Sequence, residues 1–171
     1  MQLSGEFEVA ERVSGVYACA KPVEPPTAEQ IARTVAAMID SPVAVLLMPS
    51  CGLPTRGHVT EAPDAIEEHG FPLALRLHAW LASIEQPTRM LVPTYIRRWL
   101  DEDMVAAFPM KTFQVDPIGV RTVGVVVVRA SSLSRDRFRA LELATSELAM
   151  RIEDADRIHE ANQKPRMFAV R

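Results

Sequence analysis

Cysteine is nearly missing from this chain. Cys19 and Cys51 are the two it carries, far apart and in no spacing that suits a metal centre. So few thiols fit a reduced, cytoplasmic protein, with one disulfide as the open alternative. An excess of one charge is missing too. With 19 basic residues against 22 acidic ones, the net charge is −3. No strongly basic surface follows, and nucleic acid is not expected as a partner. Long apolar runs are absent: residues 43–49 and 123–128 are far too short to cross a bilayer as helices, so no membrane partner is expected. The opening MQLSGEFEVAERVSG has Glu6, Glu8 and Glu11 and no basic stretch before an apolar one, which does not read as a signal peptide. His58, His69, His78 and His159 fall in no ligand spacing, and Gly70 and Pro72 keep His69 and His78 off a common helix face. No metal is expected.

What is present is an ordinary globular composition, 48% hydrophobic and 24% charged over 171 residues, enough for one domain with extensions. Residues 1–26 read as a partly extended N-terminal extension, because KPVEPPT at 21–27 holds three prolines. Residues 27–162 read as the domain and 163–171 as a tail. Thr27 and Gln30 have capping-box spacing. The helix they open puts Ile31, Val35, Met38 and Ile39 on one face and ends before Pro42. Residues 43–48 (VAVLLM) read as a buried strand, 49–54 (PSCGLP) as a turn and 55–61 as a partner strand. A short helix at 62–69 and another from Pro72, with Leu73, Leu77, Trp80, Leu81 and Ile84 at helical spacing, precede a third strand at 89–94. Residues 96–107 read as weakly helical. Residues 111–116 alternate, with Phe113 and Val115 on one face and Thr112, Gln114 and Asp116 on the other. A turn at 117–122 leads to the strand at 123–129.

That last strand, with Val123 and Val125 to Val128, has no polar side to offer water, so it belongs inside a sheet covered on both faces. Gly124 marks a bulge or a close backbone approach. A helix follows, capped by Ser132 or Ser134, with Asp136 in its first turn and an end near Asn162. At 1.5 Å per residue it reaches roughly 43 Å, more than one small sheet needs. Phe138, Leu141, Thr145, Leu148, Ile152, Ala155 and His159 recur at heptad steps. Its far half needs another surface, either a symmetric dimer made with the 27–40 helix or a fold-back onto its own domain.

This order of elements resembles a GAF domain, the small-molecule sensor fold related to PAS. The strongest stretch is DPIGVRTVGVVVVRASSLSRDRFRALELATSELAMRIEDADRIHEA, residues 116–161. Pro117 leads into the turn, Gly124 to Val128 form the aliphatic strand, and Ser134 starts a helix that ends in Ile152-Glu153-Asp154-Ala155. A weaker likeness covers WLASIEQP at 80–87. The resemblance implies an α+β fold, an antiparallel sheet with helices packed on it and a long C-terminal helix. It implies a non-enzymatic, dimeric regulatory domain that binds a small molecule and acts through a separate effector protein. Signatures of several subfamilies are missing. Leu133, Arg137 and Phe138 stand where the cyclic-nucleotide type has Phe, Asp and Glu. No cysteine follows Cys51, which argues against the methionine sulfoxide reductase type. No bilin-attachment loop is recognisable. No cofactor is assigned, although in some members a histidine holds haem.

The resemblance puts the ligand between the sheet and the middle helices and loops. There Tyr95, Arg98, Trp99 and Phe113 are the expected binding residues: aromatics for a flat wall and arginine for an anionic group. Arg56 and Arg121 are expected in solvent. No catalytic residue is assigned. Cys51, with His58 across a hairpin, is the one thiol-chemistry alternative. The other alternative is a ligand-free assembly subunit that uses the fold to dock a partner.

Overall fold

The computed structural model describes residues 25–48, 56–62, 76–77, 79–115 and 118–163. The chain divides into two compact units, one of residues 26–154 and one that joins residues 1–25 with 155–171. In the first, α1 (Ala28–Ile39) leads to β1 (Val43–Leu47) and β2 (Arg56–Val59). Then come β3 (Thr88–Leu91), α2 (Thr94–Leu100), β4 (Met104–Val115) and β5 (Ile118–Arg129). A 3-10 turn at Ala130–Ser132 precedes α3 (Arg135–Gln163), a helix of 29 residues. All pairings are antiparallel, in the order β2-β1-β5-β4-β3. This is an α+β fold: a five-stranded antiparallel sheet with helices packed on it and a long C-terminal helix.

The valine strand sits in the middle of that order, and its side chains divide between two cores. Val126 and Val128 join Val43, Val45, Ala106 and Phe108 under Ile31, Val35 and Ile39 of α1 and Leu141, Ala149 and Ile152 of α3. Val125 and Val127 join Ala44, Leu46, Val105 and Ala107 under Leu77, Leu81, Ile84, Ile96, Trp99 and Leu100. Val125 to Val128 are all fully buried. A strand roofed on both faces has no reason to alternate.

The capping box of α1 is formed. The Thr27 hydroxyl accepts from Gln30 N–H at 3.2 Å, and the Gln30 side chain accepts from Thr27 N–H at 2.9 Å. The helix ends on Asp40, in the left-handed region at φ 53°. Its buried face holds Ile31, Ala32, Val35 and Ile39, while Met38 is exposed. The four-residue spacing of Ile31, Val35 and Ile39 centres the stripe away from Met38.

Three features differ most from the sequence reading. Residues 101–107 are not helical: Asp101, at φ 49°, closes α2, and β4 starts at Met104. Pro109 lies past the last β3–β4 pair, Thr88 with Ala107, and just before a bulge, a place where a long strand tolerates proline. Residues 118–122 are strand rather than turn. Third, on the distal hairpin Thr112 and Phe113 do lie on opposite faces, but Phe113, expected at a ligand site, is 58% exposed while Thr112 is buried. The bulge turns the faces over on β5. Met110 pairs with Gly124 and Lys111 with Thr122, so Val123 is the extra residue and the strand's parity flips there. Phe113, Val120 and Ile118 then continue the sheet face of the second core, beyond the described helices that cover it.

Gly124 serves both roles expected of it. It borders the bulge, and a Cβ there would lie 2.6 Å from Met110 Cε and 2.7 Å from the Leu46 carbonyl oxygen. In α3, Leu141, Thr145 and Ile152 are buried and Phe138 and Leu148 half-buried, as the heptad spacing predicts. Thr145 satisfies its hydroxyl by donating to the Leu141 carbonyl at 2.8 Å. No helix among the described residues is long and apolar enough to cross a membrane.

Candidate functional site

The start of α3 is where most of the long-range polar links of the first unit converge. Ser134 caps the helix, its hydroxyl accepting from Arg137 N–H at 3.2 Å. The Arg137 guanidinium donates to the Ile39 carbonyl at 3.1 Å and to the Ser132 carbonyl at 3.3 Å, which ties the helix to the end of α1. Ser132 Oγ donates to Ser41 Oγ at 2.7 Å. Ser131 bonds the Glu102 carboxylate through its hydroxyl, at 2.6 Å, and its N–H. Arg129 Nε donates to the Leu100 carbonyl at the end of α2.

Beside this junction, α3 and the β3 edge enclose an open groove of about 530 Å³, lined by Pro87, Thr88, Arg89, Arg135, Phe138, Arg139 and Glu142. The four α3 residues stand at i, i+3, i+4 and i+7, one face of two helical turns. Arg89 pairs with Ala106, on the same side of the sheet as α3. Its guanidinium donates to the Leu133 carbonyl at 3.1 Å and lies 6.0 Å from the centre of the Phe138 ring, over its face. Phe138 in turn packs on Phe108 of the core, ring centres 4.8 Å apart at 53°. Three cations therefore border a half-buried ring, with one carboxylate opposing them. Among the described residues, Arg135 and Arg139 make no ion pair or hydrogen bond through their side chains.

The residues expected at a ligand site are not gathered in this way. Trp99 is buried in the second core, with Ile96 and Leu100 beside it. Arg98 is exposed on α2, and the Tyr95 side chain lies outside the described residues. Phe113 is exposed on the distal hairpin and is not buried in either core. Arg56 is exposed, and Arg121 reaches the Met48 carbonyl at 3.5 Å. Cys51, His69 and His78 lie outside the described residues, while His58 sits on β2 opposite Val45. No group of three or more metal-ligating side chains occurs among the described residues.

The sequence reading assigned Phe138 to the heptad seam and Arg89 to a strand, and missed the groove. The available signal was the run Arg135, Phe138, Arg139, Glu142, a basic-aromatic face at helical spacing. No protein-family model matches the chain, and no curated protein is similar to it.

Proposed function

We propose that the chain is a non-enzymatic, GAF-like regulatory module, cytoplasmic and homodimeric, that binds a small molecule and passes its state to a separate effector through α3. The order of elements agrees with the resemblance in residues 116–161. One observation carries the reading. The groove at the start of α3 shares Phe138 with the main core, and the same helix turn is bonded to the ends of α1 and the 3-10 turn. A ligand seated against Phe138 acts on a helix whose other contacts are already fixed, so its differential binding can bias the position of that helix. The groove takes the place of the Tyr95, Arg98, Trp99 and Phe113 site as the binding surface. The test is native mass spectrometry of the purified full chain, for a retained small molecule, joined to light scattering for its oligomeric state. A strict monomer at micromolar concentration removes the helix-mediated dimer from this reading.

A second reading, a docking or assembly subunit without a ligand, is favoured by one observation. Phe113 and Val120 pair across the distal hairpin and, with Ile118, are 58%, 67% and 81% exposed. Such an apolar strip suits contact with an effector protein. Replacing Phe113 and Val120 by Ser and Thr should abolish effector capture under this reading and leave it unchanged under the first.

A further inference from the structure

We infer that the groove between β3 and α3 binds a small ligand made of a flat apolar body and an oxyanion, such as a phosphate monoester of an aromatic group. This rests on the groove being the ligand site of the regulatory reading and adds the chemistry of the ligand. Arg135 and Arg139 are one helical turn apart, exposed, and without a side-chain partner among the described residues. Paired guanidinium forks of this kind fit phosphate or carboxylate oxygens bidentately, with geometry that a lysine could not supply. Arg89 is different in kind. It is held by the Leu133 carbonyl and the Phe138 ring, so it is a fixed charge on the groove wall. The groove has room for more than a bare ion. About 530 Å³ is within the range of pockets that hold whole organic ligands. The remaining space is bounded by Pro87, Thr88 and the exposed part of Phe138, where the proline and the phenyl edge offer apolar surface to a ring. Glu142, at the far end of the helical face, repels the anion and so orients it toward Arg135 and Arg139.

The probe is phenyl phosphate, titrated into the full chain and followed by the NMR signals of the arginine Nε–H groups, with inorganic phosphate and phenol as separate arms. Phenyl phosphate should shift Arg135 and Arg139 and bind more tightly than either of the other two. Arg135→Gln with Arg139→Gln should weaken it by about tenfold or more, the loss expected for charged hydrogen bonds. Glu142→Gln should tighten it, and Arg98→Gln on α2 should leave it unchanged. Equal binding of phenol overturns the anion assignment, and equal binding of inorganic phosphate overturns the apolar body. Shifts spread evenly over all arginines, or no shift at all, overturn the site. Light scattering on the same samples is independent of these outcomes, so loss of the ligand class and loss of the dimeric regulatory reading are told apart.

Discussion

Gly124 is the residue on which the central strand turns, and its environment fixes what replacing it must do. Of the two closest atoms to a new Cβ, Met110 Cε is the tip of a flexible side chain and can move. The Leu46 carbonyl oxygen belongs to the neighbouring strand and cannot move without disturbing the β1–β5 pairing. Gly124→Ala should therefore destabilise the fold by about 1–3 kcal/mol, as overpacking of a tight core does. Adding Met110→Ala should not restore the loss, because the backbone clash remains. Urea unfolding of the single and double variants checks both points. Thr112 predicts the opposite sign. Its Oγ1 is buried and has no hydrogen-bond partner among the described residues. Thr112→Val keeps the shape and removes the unpaired hydroxyl, so the unfolding midpoint should rise, with a gain of about 1 kcal/mol.

At the scale of the element, the two helix caps are independent devices. Thr27→Ala removes the acceptor for Gln30 N–H, and Ser134→Ala removes the acceptor for Arg137 N–H. Each should cost about 1 kcal/mol, measured by denaturant titration, and the two losses should add because the sites share no partner. These caps were legible in the sequence because a cap is local, a side chain and an N–H three residues on. The central strand was legible for a different reason: continuous valines have one comfortable place, between two roofs. The segment 104–110 was not. MVAAFPM carries two alanines and a proline, and only its pairing with β5 makes it a strand. Nor could the exposure of Phe113 be read, since it depends on how far along the sheet the covering helices reach, which tertiary packing sets and composition does not. The groove was hidden for the same physical reason. Arg89 comes from β3 and Arg135 from α3, and tertiary packing alone brings them to one wall.

At the scale of the whole molecule, α3 has two sides with different apolar content. Its inner side, Leu141, Thr145 and Ile152, is used up by the sheet. Its outer side carries Leu143 and Met150, 74% and 59% exposed and one heptad apart, with Glu147 and Arg151 paired beside them. Met38 on α1 is a further exposed apolar residue on a helix that covers the same sheet face. Two apolar residues at that spacing on an otherwise charged side are a seam of the kind that a second helix covers, and a two-fold axis brings the same seam from another copy. The dimer we propose should therefore depend on the outer side of α3. Leu143→Lys with Met150→Lys should turn a micromolar dimer into a monomer by light scattering, since both changes also set like charges against each other across the axis. Both positions are exposed within one chain, so the resulting monomer should stay folded, with the far-UV circular dichroism of the parent protein. Phe113→Ser, on the distal hairpin, should leave the dimer intact. If Phe113→Ser dissociates it and the lysine pair does not, the copies meet through the hairpin instead, and α3 is free to serve the effector alone.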